Sequence, residues 1–515
     1  MKKLFLVLSV LMALTLVTTV SAQVTYPNGT YTSYQVANLG AETNILVTYY
    51  DEDGVASPFT ETFSNVPAGG VVTVQQALEA GLAAGSYSAV ISAGSPVAAI
   101  ANQQLGVEGS GSSIPPFSSY SAYSVGATSV TLPVIMYNWW GYYTEFYIQN
   151  ISETPATDIE VEYIPTTLGS CVVGATGQIK PIATVADPLA KYASRKVSNF
   201  DATYLGGPGG AGCTGYAGRF LGMAVITADQ PIGVVVNEIV QDKLFTYNGF
   251  TDASMTLLAP AYMRNYWNYY ASLTIANPDP VNDANVTLYY EPGVGSSPSI
   301  PVEATHTIPA GESITIYDGP GSTGTDLSTD YDLPTEKFFG SVKIVSSDYP
   351  VIAMVNQEAT TTAGKQAGSY NAFRLEEGGA DYSVPLVQSA FYNYYTSITI
   401  MTVDGGEATV DITYTSDGTY STVKNQSKTY TLSTTNGFLN RYEGATASAD
   451  QSDLLDDPFW VGDGGLRRFI GSATIHVVSG SDIVVFVNSE YAKKVSDPLR
   501  DSMYTFNAFP YIPLP

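Results

Sequence analysis

The sequence predicts an all-β protein made of four tandem antiparallel β-sandwich domains, and three observations lead to this fold class. Charged residues are only 13% of the 515 residues, whereas Tyr counts 38 and Gly 47, a composition that favours strands and turns over helices. Apolar and polar residues alternate over many short stretches bounded by Gly, Pro, Asn or Asp. One strand-turn-strand pattern also recurs four times along the chain.

The recurring pattern is clearest at Phe220–Glu238, and its other copies are Gly85–Gln103, Phe339–Glu358 and Ile470–Glu490. Each copy has Gly and small residues, then alternating apolar positions. A polar turn follows, usually with Pro, and an apolar run then reaches Asn. Alternation is typical of a half-buried strand, and turn residues between two such runs indicate a hairpin. We therefore predict one β-hairpin present in four copies.

Further signals keep their order around each copy and define four units. An opening strand precedes the predicted hairpin, and an aromatic-Asn-small-Phe tag closes each of the last three units. Units two to four also begin with an aromatic-rich segment that carries Pro near its start, which we interpret as a linker plus a first strand. The predicted domains are residues 23–126, 127–251, 252–374 and 375–509, each long enough for about seven to nine strands.

The two ends of the chain carry separate predictions. Residues 1–22 have two lysines, a long apolar run and a small-residue cleavage site, which together predict a cleaved signal peptide and an extracellular or cell-surface location. A retained membrane anchor is the alternative, since the run is just long enough to span a bilayer. Residues 510–515 form an extended C-terminal tail that resembles the beginning of another first segment. It is either a plain tail or a strand for a neighbouring molecule.

The two cysteines lie in one Gly-rich insertion of unit two. In an exported protein Cys171 and Cys213 are expected to form a disulfide, and two free thiols are the alternative. The loop that they would close is worth roughly 4 kcal/mol in the chain-entropy description.

Asparagines recur at two places in the units. Asn38, Asn150 and Asn277 end opening strands, and a second set ends the predicted hairpins. Because Asn tolerates a left-handed backbone and bonds its own main chain, we predict that these are structural turn residues. We also predict that the two kinds of strand end are neighbours, so that the Asn side chains tie adjacent loops. The second set is Asn102, Asn237, Asn356 and Asn488.

Few residues suggest catalysis or metal binding, so we predict no enzyme activity and no cofactor. The two histidines, His306 and His476, lie in strand-like runs outside any catalytic motif. Calcium candidates are the turn at Asp51–Gly54 and the loose acidic run around Asp326, Asp330 and Asp332, and both are more typical of solvated turns. A hydrolase using Asp453, Asp456 and Asp457 would need carboxylates that face each other across a cleft.

Net charge restricts the partners. The formal charge is −26, which disfavours nucleic acid because phosphates are bound by Lys and Arg. An acidic surface can still attract cations such as Ca²⁺ diffusely without a dedicated site.

Aromatic clusters at the start of units two to four are the strongest functional signal. Aromatic rings with polar tips are enriched at protein interfaces, and they also form platforms for sugar rings. We consider three roles, namely packing of the joints between domains, self-association and sugar binding. The interface candidates are Tyr137, Trp139, Trp140, Tyr142, Tyr143, Tyr266, Trp267, Tyr269, Tyr270, Tyr392, Tyr394 and Tyr395.

The repeated opening strand, the Pro-Ala-Gly turns at Val66–Gly69 and Ile308–Gly311 and the four-copy strand pattern resemble the immunoglobulin-like β-sandwich repeats of bacterial secreted and cell-surface proteins. The resemblance implies architecture and location, not activity. Such repeats serve in surface layers, filaments, stalks and adhesins. The expected function is therefore a structural protein that associates with itself, and the alternative is an adhesive protein that binds cell-surface glycans.

Overall fold

The computed structural model describes residues 30–75, 81–105, 116–166, 188–198, 220–240, 243–293, 295–319, 326–327, 331, 336–359, 366–391, 394–418, 426–432, 437–442, 468–491 and 503–511. Within these residues the chain is all-β, every strand pairing is antiparallel, and the one helical segment is a 3-10 turn at Leu375–Glu377. No helix in this part of the chain is long and apolar enough to cross a membrane. The predictions for the signal peptide, for Cys171 and Cys213, and for Asp330, Asp332, Tyr392, Asp453, Asp456 and Asp457 lie outside the described residues.

Unit 1 forms two sheets that pack face to face. Its strands are β1 (Thr30–Asn38), β2 (Thr43–Tyr50), β3 (Ala56–Val66), β4 (Val71–Gln75), β5 (Ser88–Ala93), β6 (Val97–Leu105) and β7 (Phe117–Ser121). One sheet has the order β4-β1-β6-β7 and the other β3-β2-β5. Alternate residues of both sheets, such as Val36 and Val47, meet in one core, which is the sandwich arrangement that the alternation predicts.

Unit 2 has one six-stranded sheet of order β10-β12-β8-β9-β11, and β13 pairs with β12. Its strands are β8 (Ala127–Trp139), β9 (Tyr142–Asn150), β10 (Ile159–Pro165), β11 (Ser194–Ser198), β12 (Phe220–Val240) and β13 (Lys243–Asn248). The long strand β12 changes partners along its length. Its first half pairs with β8 and β10, and after a register shift its second half pairs with β9 and β13.

Unit 3 repeats this plan with nine strands in the order β17-β16-β19-β14-β15-β20-β21, where β18 pairs with β15 and β22 with β14. The strands are β14 (Thr256–Tyr266), β15 (Tyr269–Ala276), β16 (Ala284–Pro292), β17 (Val302–Ile308), β18 (Ser313–Tyr317), β19 (Phe338–Ser346), β20 (Ile352–Ala359), β21 (Ala367–Asn371) and β22 (Phe373–Arg374).

Unit 4 has the order β26-β25-β28-β23-β24-β29-β30, where β27 pairs with β24 and β31 with β23. The strands are β23 (Asp381–Phe391), β24 (Tyr394–Thr402), β25 (Ala408–Ser416), β26 (Gln426–Leu432), β27 (Phe438–Tyr442), β28 (Phe469–Gly480), β29 (Ile483–Tyr491), β30 (Tyr504–Asn507) and β31 (Phe509–Pro510). Units 3 and 4 therefore have equivalent strand orders, as their equivalent sequence signals imply.

The predicted hairpin is wrong in its pairing, although both of its strands exist. β5 pairs with β2, whereas β6 pairs with β1 and β7 in the other sheet. In units 3 and 4 the two strands belong to one sheet but do not pair with each other, since β14 and β15 lie between β19 and β20, and β23 and β24 lie between β28 and β29. The turn thus carries the chain between strands that have different partners, and in unit 1 these strands lie in different sheets. A hairpin and such a crossing share the same local strand-turn-strand signature, so alternation alone cannot distinguish them.

The glycine near the start of the recurring pattern has a packing reason in units 2 to 4. A Cβ atom on Gly222 would lie 2.1 Å from the carbonyl oxygen of Ile164, and one on Gly340 would lie 2.0 Å from that of Glu291. Gly471 is equally close to the oxygen of Thr415, at 2.1 Å. The neighbouring backbone approaches too closely for any other residue at these positions.

The four units close into a ring and do not follow each other in a line. The last strands of the units, β7, β13, β21 and β30, each contact the next, and β30 of unit 4 contacts β7 of unit 1. A second set of contacts also joins successive units. Strand β8 contacts β15, β14 contacts β24, and β23 of unit 4 contacts β1 of unit 1. The hydrophobic core is continuous from unit 3 into unit 4, so these two units share apolar packing.

The asparagines that end the opening strands anchor loops, as predicted. Asn277 is fully buried, and its Nδ2 donates to the carbonyls of Asn282 (2.7 Å) and Ile308 (3.2 Å). Its Oδ1 accepts from the backbone N–H of Asp279 at 3.0 Å. Asn38 and Asn150 make equivalent sets of bonds. One amide thus satisfies the backbone groups of two neighbouring turns.

We expect Asn277→Ala to lower the free energy of unfolding by ~2 to 3 kcal/mol, since it leaves buried carbonyls without their donor. Urea unfolding followed by tyrosine fluorescence measures the change. Asn285→Ala is the matched control, because Asn285 is exposed and bonds Asp348 at the surface. It should cost less than about 1 kcal/mol. Equal losses in the two variants would contradict the anchoring role.

Candidate functional site

The centre of the ring is the place where all four units meet. A cavity of about 240 Å³ lies there and is lined by residues of the four closing strands, among them Ser121, Asn248, Asn371 and Asn507. These four positions are equivalent, because each lies opposite the corresponding residue of the adjacent strand in its own unit. The aromatic-Asn-small-Phe tag of the sequence is therefore the part of units 2 to 4 that faces the axis.

The tag asparagines connect successive units through their side-chain amides. Asn248 Nδ2 donates to the carbonyl of Ser121 at 2.7 Å, and Asn371 Nδ2 donates to the carbonyl of Asn248 at 2.8 Å. Asn507 Nδ2 donates to the carbonyl of Asn371 at 2.8 Å. Unit 1 has Ser121 at this position in place of Asn, so its side chain has no amide to continue the chain of bonds.

The predicted turn asparagines lie within strands and not at turns, which corrects the turn assignment. Asn102 lies in β6, Asn237 in β12, Asn356 in β20 and Asn488 in β29, beside the closing strands. Asn237 accepts from Thr246 Oγ1 at 2.9 Å within its own unit. Its Nδ2 then donates to Gln103 of unit 1, also at 2.9 Å. Asn237 and Asn356 thus bond one unit to another. The prediction that the two sets of asparagines lie at neighbouring strand ends is wrong, because they lie at opposite ends of the paired strands.

In units 1 and 2 the residue after this asparagine receives a hydrogen bond from the following unit, a role that the sequence reasoning missed. Gln103 and Glu238 occupy this position in units 1 and 2. Asn356 Nδ2 donates to Glu238 Oε2 at 2.9 Å. The signal was present in the sequence, since a polar residue follows each Asn in an otherwise apolar strand. The set is Gln103, Glu238, Gln357 and Ser489.

Glu238 is the one acidic member of that set and is fully buried. Its burial raises the pKa of the carboxyl group to about 8, and the hydrogen bond from Asn356 only partly opposes this effect. A neutral carboxylic acid therefore fills the same role near neutral pH that a glutamine amide fills in unit 1.

Polar contacts at the rim of the joints add to these central bonds. Lys243 of unit 2 and Glu358 of unit 3 form an ion pair of 2.6 Å that is mostly buried. The hydroxyl of Tyr269 in unit 3 donates to Glu490 of unit 4 at 2.8 Å. At the last joint, Ser472 Oγ of unit 4 donates to the carbonyl of Gly69 in unit 1 at 2.9 Å.

The aromatic clusters form the hairpins that join the first two strands of units 2 and 3. The turn residues Asn138, Trp140, Asn265 and Trp267 have positive φ angles of 49°, 48°, 53° and 50°. A left-handed backbone is costly for tryptophan, and the packing of the flanking strands holds it there. The hairpin turns project the two tryptophans outward, with 73% of Trp140 and 55% of Trp267 exposed.

Other members of the clusters pack at the joints between units. Tyr142, Tyr269 and Tyr394 are equivalent, and each lies against the following unit. Burial raises the pKa of the Tyr142 phenol, and the nearby carboxylate of Glu358 in unit 3 raises it further. The ring of Tyr394 lies 6.0 Å from that of Phe117 in unit 1.

The remaining described aromatic candidates are buried or half-buried. Tyr137, Tyr143 and Tyr395 are buried within their own units. Trp139, Tyr266 and Tyr270 are half-buried. Trp139 packs on Trp140, and Tyr266 packs on Trp267 and Phe339. The clusters thus combine joint packing with an exposed tip.

The histidines and the carboxylates that the sequence singles out are engaged in local bonds. His306 Nε2 lies 3.0 Å from Asp326, which also accepts from Tyr290 at 2.7 Å. His476 Nδ1 lies 2.7 Å from Asp381. The Asp51 carboxylate accepts from two backbone N–H groups of its own turn. Among the described residues, no group of three or more His, Cys, Asp or Glu side chains is placed to hold a metal ion.

Comparison with known proteins adds no family to these observations. No protein-family model matches the chain, and no curated protein matches it.

The buried carboxyl of Glu238 predicts a pH-dependent stability. Its pKa of about 8 in the folded state lies above the ordinary value of 4.5, so the stabilising protonated form is complete below pH ~4.5 and is lost as the pH rises through 8. We expect Glu238→Gln to be progressively more stable than the wild type as the pH rises from 5 to 9, by up to about 4 kcal/mol. Urea unfolding at each pH measures the difference.

The reciprocal control is Gln103→Glu, which places an acid at the equivalent position of unit 1. This variant should acquire a similar loss of stability between pH 5 and 9. A wild-type profile parallel to that of Glu238→Gln across this range would show that Glu238 does not titrate as described.

Proposed function

We propose that the protein is a non-enzymatic extracellular structural protein, a subunit of a surface layer, sheath or filament that forms by self-association. The observation that carries the proposal is the use of its buried polar groups. The amides and hydroxyls at the centre of the ring bond the four units to each other, as Asn237 bonds Gln103 and Asn371 bonds Asn248. Buried polar side chains that hydrogen-bond one repeat to another, and not a substrate, are typical of a structural subunit.

The location and the domain plan belong to the same proposal. Residues 1–22 serve as the export signal, and Cys171 and Cys213 form a disulfide in the oxidising environment outside the cell. The four units are immunoglobulin-like β-sandwich domains with boundaries at residues 126, 251 and 374. An acidic coat of net charge −26 keeps the exported chain soluble until specific contacts form.

The exposed tryptophans support contact with another molecule. Trp140 and Trp267 occupy equivalent turns of units 2 and 3, and more than half of each side chain is exposed. Large aromatic side chains at the surface are enriched in protein interfaces and often dominate their energetics. Two such tips on neighbouring units of one ring form a repeated contact surface.

Purification of the chain from residue 23 onward, followed by light scattering and negative-stain microscopy, tests self-association. We expect assemblies larger than one chain, and Trp140→Ala with Trp267→Ala should raise the concentration at which they form by at least about tenfold, since an interface aromatic is worth 1 to 2 kcal/mol or more. The control is Val281→Ala, an apolar residue that is 77% exposed and lies away from these turns. A persistent monomer at every salt and calcium concentration would refute the proposal.

Binding of cell-surface glycans is the second candidate, and the same exposed rings favour it. Sugars stack on flat aromatic surfaces, and Trp267 also borders a small recess between units 3 and 4 with Tyr269 and Phe339. A glycan array probed with the wild type and with Trp267→Ala separates the two functions. Binding that Trp267→Ala abolishes would favour adhesion, whereas no binding across the array would eliminate it.

A further inference from the structure

The first strand of units 2 to 4, which we name the N-strand, fills the same position in each sandwich. The N-strands are β8, β14 and β23, and each pairs with the first half of the recurring pattern. Their registers are equivalent. Leu132 lies opposite Ala224, Ala259 lies opposite Val342, and Val384 lies opposite Ala473. The N-strand covers one side of the core in all three units.

Unit 1 has no N-strand among the described residues. Strand β5 occupies the position of β19 and β28, and in the described part of the chain it pairs only with β2. Ala89 and Ile91 lie opposite Tyr49 and Val47 and therefore face the core.

The exposure of β5 reflects this difference. Ala89 is exposed and Ile91 is only half-buried. The equivalent residues of the other units are 0% exposed, namely Ala224, Ile226, Val342, Ile344, Ala473 and Ile475. The free edge of β5 in unit 1 therefore lies beside apolar residues whose equivalents in units 2 to 4 are covered by the N-strand. Edges of this kind accept an added strand, which contributes backbone hydrogen bonds and apolar side chains.

The register locates the residues of this chain that would correspond to an N-strand of unit 1. In the other units the residue opposite Ala224, Val342 or Ala473 lies thirteen positions before Glu145, Ser272 or Ser397. The equivalent residue of unit 1 is Ser33, because it pairs with Asn102 as Ser272 pairs with Asn356. Thirteen positions before Ser33 is Val20, which lies inside the predicted signal peptide. Export would remove the residues that could cover β5.

The C-terminal tail carries the sequence of a missing N-strand. Each N-strand has an apolar-Pro-apolar triplet, Leu132–Val134, Ala259–Ala261 or Val384–Leu386, and the pairing shifts register there. Proline is tolerated at such a bulge, where its lack of an N–H costs no ladder bond. The tail has Ile512, Pro513 and Leu514 in the same order.

The spacing along the chain favours a second copy over the same chain as the source of this strand. Ala259 lies nine positions after Phe250 and Val384 lies eleven positions after Phe373, whereas Ile512 lies only three positions after Phe509. The tail is also attached to its own unit, since Tyr511 N–H donates to the carbonyl of Asp381 at 3.1 Å. The tail is therefore too short to reach β5 of its own chain by the path that connects successive units.

We propose that unit 1 is a strand-acceptor site and that the C-terminal segment Ile512–Pro515 of a second copy adds to β5 at the position of an N-strand. Ile512 then lies opposite Ala89, and Leu514 takes the position of Val134 and Leu386. Because the donor and the acceptor lie at different places on each molecule, the contact is head-to-tail, and its repetition gives an open chain of subunits unless the rotation between copies closes a ring. This inference rests on the proposed self-association and gives it a specific geometry.

Cysteine cross-linking tests the register. Two variants of the chain from residue 23 onward, Ala89→Cys and Ile512→Cys, are mixed and oxidised, and the cross-linked heterodimer is quantified on a non-reducing gel. We expect at least about tenfold more of it than from Val90→Cys mixed with Ile512→Cys, since directly opposed Cβ atoms lie within roughly 4.5–5.5 Å whereas a one-residue slip faces the other side. The unsubstituted protein gives the background from Cys171 and Cys213.

Removal of residues 512–515 and light scattering separate this inference from the general proposal. Loss of assemblies in the truncated chain, together with the specific cross-link, supports strand addition. Assemblies that persist after truncation, or equal cross-linking of Ala89→Cys and Val90→Cys, would overturn strand addition while self-association stands. A cross-link that forms only within one chain carrying both substitutions would also overturn it, because the tail would then close its own ring.

Discussion

The packing of four closing strands around one axis is the constraint on which the rest of the structure depends. Strands β7, β13, β21 and β30 each contact their two neighbours in the ring. A strand buried in this way has backbone and side-chain polar groups on the side that faces the axis, and they need partners there. The tag asparagines provide them across each of the first three joints, from Asn248 to Asn507. The polar tags are thus a requirement of the ring.

The sequence allows the prediction of elements more readily than their assembly. Alternation and turn residues identify the strands and the four-fold repeat, and the loop-anchoring role of Asn277 follows from the chemistry of asparagine at a strand end. The pairing of the recurring pattern is not predictable in this way, because the partners of β5 and β6 are distant in the chain. The ring is equally hidden, since contact between units 4 and 1 involves residues such as Ser472 and Gly69, about 400 positions apart.

The candidate site shows where local reasoning misassigns a residue. Asn237 follows an apolar run, and asparagine after such a run commonly begins a turn. In the structure the run continues through Glu238 and Ile239, and the amide bonds a glutamine of another unit. A polar pair inside an apolar strand is costly unless it has partners, and here the partners come from the neighbouring unit. Its recurrence in all four units marks an interface between repeats.

Differences between the repeats are as informative as their likeness. In units 2 to 4 an N-strand, which follows directly from the preceding unit, covers one side of the core. These three cores therefore need no strand from another molecule. Unit 1 has no such strand among the described residues, and its strand β5 has apolar residues that are more exposed than their equivalents. Under the proposed strand addition, this uncovered strand is where a second copy would attach, and growth would have one direction. Four fully covered units would instead leave only side-chain contacts, such as those of Trp140 and Trp267, to build an assembly.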